Sequence, residues 1–141
     1  MLNSIQLSEI EAAGLTSERY DEAELVNHMM PLMVGALLIT RGERGATLIV
    51  QKEKKLTKHE IGGLSPGPVI DTTGCGDVFG AAYFFSFLRS RNELLSVQFA
   101  NRIAAHNVQF PGTAGMETLR EALSSLEVPE LSHNVRKGGS L

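Results

Sequence analysis

The stretch Asp71-Thr72-Thr73-Gly74-Cys75-Gly76-Asp77 constrains this chain more than any other. A short β-favouring run, Pro68-Val69-Ile70, precedes it and an apolar run from Val78 to Leu88 follows. That order predicts a strand, a tight turn and a helix. Gly74 and Gly76 let the backbone turn sharply and bring consecutive N–H groups together. The helix adds its unpaired first-turn donors and the positive end of its dipole, so the turn suits an anion. Asp77 falls on the first turn of that helix, where its carboxylate repels a bound phosphate unless it has chemical work to do. General base is that work. An alcohol attacking a terminal phosphoryl group must lose a proton, and a carboxylate beside an N–H cradle meets both needs.

Other readings of the same residues stand beside this one. A Gly-x-Gly turn can simply start a helix, with Asp77 as a first-turn acid favoured by the dipole. A dinucleotide fingerprint fits less well, because Gly74, Gly76 and Gly80 are spaced one residue too long for G-x-G-x-x-G and Asp77 would face the pyrophosphate. No glycine-rich run ends in Gly-Lys-Ser or Gly-Lys-Thr, so the P-loop pattern is absent.

Composition narrows the class. The chain has 141 residues, 43% hydrophobic and 21% charged, which fits one globular domain with a moderate core. Thirteen basic and sixteen acidic residues leave a net charge of −3, which offers no footprint for nucleic acid or an anionic membrane. A phosphate site must therefore be local. The single cysteine cannot form an internal disulfide, and no basic-then-apolar signal pattern opens the chain, so the expected setting is the reducing cytoplasm. The apolar run from Met29 to Ile39 is broken by Pro31 and is too short to span a bilayer.

Taken in order, Ser4-Ile5-Gln6-Leu7 reads as a strand, and Ser8 with Glu11 as a capping box opening a helix to about Ala13, stopped by Gly14. A second helix is expected from Ser17 to about Met33. Ala36-Leu37-Leu38-Ile39 is an unalternating strand suited to a sheet covered on both faces. Thr40, Gly42 and Gly45 follow in a segment that could be a plain hairpin turn. Two more strands, Ala46 to Val50 and Lys55 to Ile61, flank a charged turn with solvated lysines. The helix from Asp77 is apolar on nearly every face, which predicts burial. A further helix runs from Glu93 to about Val108, with Asn101 reading as an exposed position on it, and a last one runs from Met116 to Leu126. Residues 132–141 form a polar, frayed end. The four histidines have no metal-ligand spacing. Cys75, at a helix start, is expected to have a lowered thiol pKa and to be open to alkylation.

The run DTTGCGDVFGAAY resembles the second signature of the ribokinase-like (PfkB) carbohydrate and nucleoside kinases, roughly D-T-x-G-A-G-D-x-F, with Cys75 in place of the usual Ala. LLITRGERGA is similar to that family's I-T-x-G-x-x-G segment, Ser8-Glu9-Ile10-Glu11 to its Asn-x-x-Glu motif, and FANRIAA to its F-A-N-A-A-A-A helix. The resemblance implies that Asp77 is the catalytic base and that the amides of Gly74, Cys75 and Gly76 form the anion hole. It assigns Thr40, Gly42, Gly45, Asn101 and Gly112 to ATP, Glu11 to indirect organisation of Mg2+, and Asp71 with Thr73 to a monovalent cation such as K+. Ser8 departs from the family's Asn.

The fold so implied is α/β: a three-layer α/β/α ribokinase-like fold, C-terminal half only, with a mostly parallel sheet and an antiparallel edge hairpin. Residues 1–128 would form this ATP-binding and catalytic-base part and residues 129–141 a flexible tail. The family's other half supplies most of the sugar or nucleoside pocket and its lid, so self-association or a partner chain is expected to cover the apolar surface left open. The resulting expectation is an ATP-dependent phosphotransferase acting on a sugar or nucleoside hydroxyl. The alternative is a non-catalytic nucleotide-binding or assembly module. A nicotinamide-dependent oxidoreductase has little support in the sequence.

Overall fold

The computed structural model describes residues 4–16, 19–29, 31–32, 35–65 and 67–116. A four-stranded sheet in the order β1-β2-β3-β4 is its centre, made of β1 (Ser4–Ser8), β2 (Ala36–Thr40), β3 (Gly45–Lys52) and β4 (Lys55–Gly62). Helices α1 (Glu9–Leu15) and α2 (Glu22–Met29) lie between β1 and β2, and α3 (Cys75–Ser90) and α4 (Glu93–Asn107) follow β4. β1 and β2 pair in parallel, which requires the long crossover that α1 and α2 supply. The antiparallel edge hairpin is β3–β4. Antiparallel pairing reaches one strand further inward than expected, because β2 returns directly into β3 through the turn at Gly42–Arg44.

Alternation along the strands divides the core into two layers. Ala36 and Leu38 of β2 and Ala46, Leu48 and Val50 of β3 face α3 and α4, where they meet Val78, Phe79, Ala82, Tyr83, Val97, Phe99, Ala100 and Ile103. Leu37, Ile39 and Ile49 point the other way, against Ala12 of α1 and Leu25 and Met29 of α2. The sheet is therefore covered on both faces, as the unbroken apolar run of β2 requires. Each fully buried leucine here contributes roughly 1.5–3 kcal/mol, and truncating Leu38 or Leu48 to alanine costs about 2–5 kcal/mol.

Local chemistry sets the element ends. Ser8 and Glu11 form the expected capping box, but α1 runs on through Gly14 to Leu15. α2 starts at Glu22 rather than Ser17, because the Asp21 carboxylate accepts the Glu24 N–H at 3.0 Å and caps it there. It stops at Met29, two residues short of Pro31. The β3–β4 turn places Glu53 and Lys54 at φ 50° and 63°, the left-handed pair that a two-residue hairpin turn needs. Arg91, also left-handed at φ 52°, ends α3, and the Asn92 side chain accepts the Leu95 N–H at 3.0 Å to start α4.

Two expectations are corrected. Pro68-Val69-Ile70 forms no strand; Pro68 has no N–H to donate to a ladder, and the Ile70 and Asp71 N–H groups both donate to the Val108 carbonyl instead, at 2.7 and 3.2 Å. α3 is not buried all round: Phe84, Phe85 and Leu88 are 59%, 47% and 46% exposed, because the sheet and α4 cover only the side carrying Val78, Phe79, Ala82, Tyr83 and Ser86. The helix expected from Met116 to Leu126 lies, past its first residue, outside the described residues, as does the tail.

Candidate active site

The carboxyl ends of the parallel pair β1–β2 and the first turn of α3 meet at one place. Ser8 and Thr40 sit opposite each other on the last rung of that pair, and a cavity of about 390 Å³ opens there, lined by Gln6, Ser8, Glu11, Thr40, Gly76, Asp77 and Gly80. In open α/β sheets the carboxyl ends of strands are where ligands bind. The fold thus gathers Glu11, Thr40 and the pair Gly76–Asp77 from three separate segments.

The turn before α3 is built by local hydrogen bonds. Gly74 stands at φ 76°, a left-handed conformation natural to glycine, and serves as the cap residue before α3. The Cys75 N–H donates to the Thr72 carbonyl at 3.2 Å and the Val78 N–H to the Gly74 carbonyl at 2.9 Å. Asp77 lies in the first turn, exposed, on the wall of the cavity. Glu11 is fixed opposite: its Oε2 accepts the Ser8 N–H at 2.7 Å and the Ser8 hydroxyl at 2.8 Å. Those two bonds, the backbone one first, hold its carboxyl below the ordinary carboxylate value.

Asp71 and Thr73 stand beside the turn rather than on the cavity wall. Asp71 Oδ1 accepts the Thr73 N–H at 2.8 Å and Oδ2 the Gly112 N–H at 2.7 Å, which lowers the Asp71 pKa. Gly112 is thereby tied to the turn across forty-one positions of sequence. Gly42, Gly45 and Asn101 form a third group. Gly45 pairs with Gly62 in the ladder, and the Asn101 side-chain amide donates to the Gly62 carbonyl at 2.8 Å. Asn101 is buried, not exposed as its place on an amphipathic helix suggests.

Gln6 and Gly80 have no site role in the sequence reading, where Gly80 enters only as the third glycine of a run. Gln6 Nε2 donates to the Gly76 carbonyl at 3.0 Å, and a Cβ on Gly80 would stand 2.4 Å from Gln6 Oε1. The signal was there: Gln6 is in phase with Ser8 on one strand face, and Gly80 interrupts a helix, where glycine costs about 0.5–1 kcal/mol. The lowered thiol expected for Cys75 is corrected. Burial pushes its pKa up, opposed by a hydrogen bond from the Asn107 side chain. No three His, Cys, Asp or Glu side chains cluster as a metal site among the described residues, and none of their helices is long and apolar enough to cross a membrane.

Comparison with known proteins supports this fold. The family model described as pfkB family carbohydrate kinase matches residues 4–119. A ribokinase of Arabidopsis thaliana is 29% identical over 111 residues, covering 78% of this chain and 28% of that protein. The crystal structure of a ribokinase from Thermotoga maritima aligns with a TM-score of 0.71 at 21% identity, over 87% of this chain and 42% of that one. The structure of Arabidopsis thaliana ribokinase complexed with ribose and ATP aligns with a TM-score of 0.66 at 25% identity, over 79% of this chain and 36% of that one. The chain thus spans less than a third of the length of the curated ribokinase. With its two-sided sheet, its Gly-Cys-Gly turn and this match over most of its length, the chain belongs to the pfkB family of carbohydrate kinases.

Proposed function

We propose that this chain carries the ATP-binding and catalytic-base part of a kinase that transfers the γ-phosphoryl group of ATP to a hydroxyl of a sugar or nucleoside. One observation carries the reading: Asp77 stands on the first turn of α3, directly after Gly74-Cys75-Gly76, and shares one cavity with Glu11 and Thr40. Asp77 accepts the proton of the attacking hydroxyl. Helix-start N–H groups at Gly76 and the turn before it stabilise charge on the transferring group, and the Asp71 clamp keeps them aimed.

The donor set suits Mg2+ that is held chiefly by phosphate oxygens and water, with Glu11 ordering that water, since no protein cage of three ligands exists among the described residues. When bound, the ion would neutralise charge on the phosphates. Asp71 keeps lone pairs beyond its two amide bonds, which suits a monovalent cation beside Thr73. Thr40, Gly42, Gly45 and Gly112 would line the nucleotide. Asn101, whose amide is committed to Gly62, would shape the wall rather than reach the base.

An alternative is a non-catalytic nucleotide-binding or assembly module, favoured by the exposed Phe84, Phe85 and Leu88, which suit self-association or a covering partner chain. Calorimetric titration with Mg·ATP, followed by a phosphotransfer assay on ribose, other sugars and nucleosides, separates the two. Asp77→Asn is expected to lower turnover by about 10²–10⁴-fold while leaving ATP affinity within about twofold. ATP binding without transfer to any acceptor supports the module, and unchanged turnover in the variant ends the role given to Asp77.

A further inference from the structure

Asn107, the last residue of α4, is fully buried at 0% exposure. Its Nδ2 donates to the Gly112 carbonyl at 2.8 Å, and the same side chain opposes the upward shift of the Cys75 thiol. Gly112 is thus held at both ends of its backbone, by Asn107 at the C=O and by Asp71 at the N–H. Asp71 in turn holds the Thr73 N–H. The four residues make a chain of hydrogen bonds from the end of α4, through the 110–113 loop, into the turn before α3.

Two features set the surroundings of this amide. Asn107 Oδ1 is buried with no hydrogen-bond partner among the described residues, a penalty that a leucine of similar volume would not incur. The space is also tight: a Cβ on Gly115 would lie 2.9 Å from Oδ1 and 3.0 Å from the Asn107 Cα. A side chain that is costly to bury and closely packed thus stands where its donor reaches a loop carbonyl.

We infer that Asn107 is a positioning residue, which sets the 110–113 loop against the Gly74–Gly76 turn and so fixes the direction of the anion-hole amides. It touches no reacting atom and acts through Gly112. Its effect on phosphoryl transfer rests on the kinase reading above; its effect on the geometry of the turn does not.

Amide hydrogen exchange by NMR on the full 141-residue chain tests it without any need for turnover. In the wild-type chain the Asn107 side-chain NH2 should exchange slowly; exchange at the rate of a solvent amide overturns the inference. In Asn107→Leu, which keeps the volume but removes the donor, the Gly112 and Thr73 N–H groups should exchange about tenfold faster while β2 and β3 amides stay unchanged. Unaltered protection at Gly112 and Thr73, or a uniform loss across the sheet, overturns it. In a transfer-competent assembly the same variant should lower kcat by about tenfold with KM for ATP within about twofold; a change confined to KM contradicts a positioning role. Absence of turnover in the wild type would end the kinase reading and leave the exchange result to decide this one.

Discussion

The side-chain amide of Gln6 reaches the Gly76 carbonyl at 3.0 Å across seventy positions of sequence, joining the first strand to the first turn of α3. Gly80 makes that approach possible, because any Cβ there would collide with Gln6 Oε1 at 2.4 Å. Gln6→Leu should therefore destabilise the chain by about 1 kcal/mol, the net worth of one hydrogen bond. Gly80→Val should displace the Gln6 side chain and cost more. Urea midpoints measure both. If Gly80→Val is no worse than Gln6→Leu, the two residues do not form one contact.

At the β2–β3 connection two glycines with different surroundings give a matched pair. Gly45 holds φ 92°, and a Cβ there would stand 2.1 Å from the Ile61 carbonyl oxygen, whereas a Cβ on its ladder partner Gly62 meets nothing within 4 Å. Gly45→Ala should cost about 1–3 kcal/mol and Gly62→Ala well under 1 kcal/mol. Equal shifts in thermal midpoint would mean that the closeness of this turn is not what requires glycine.

Acid should unfold the protein partly through Asp71 and Glu11. Both carboxyls are held below their ordinary values in the folded chain, Asp71 by the Thr73 and Gly112 N–H groups and Glu11 by Ser8. Each group's contribution is complete above the unfolded-state value of about 4 and is lost as pH falls through the lower folded value. Thermal midpoints of the wild type should drop between about pH 5 and pH 3. They should drop less steeply in Asp71→Asn, and parallel curves would remove Asp71 from the account.

At the alkaline end Tyr20 works in the opposite sense. Burial first, then the charge of Glu22, raises its phenol from 10.0 to about 12. Stability is unaffected below pH 10 and falls as pH rises from there through about 12, since only the unfolded chain ionises freely in that window. Tyr20→Phe should flatten this limb; an unchanged limb would assign the loss to other groups.

Cys75 should react slowly. Its thiol is half-buried and shifted upward by that burial, so carboxymethylation at pH 8 should run at least several-fold below the rate of a free cysteine peptide. A rate above that of the peptide would restore the activating influence of the helix start.

Much of the local geometry of the candidate site is legible from residues close together in sequence. The Gly74-Cys75-Gly76 turn, Asp77 on the following helix and the Ser8–Glu11 box each rest on bonds within four residues, which spacing and side-chain type alone can specify. The unbroken run Ala36–Ile39 likewise announced a strand covered on both faces. Tertiary structure decided the rest. It turned Val69 and Ile70 from a strand into a connection held by Val108, exposed one flank of α3, and buried Asn101 behind Gly62. It also tied Gln6 to Gly76 and Asp71 to Gly112, across seventy and forty-one positions. Local periodicity cannot encode such pairs, because each forms only when packing of the two core layers brings distant segments within hydrogen-bonding distance, and an amide or carboxylate then takes the nearest unsatisfied backbone group.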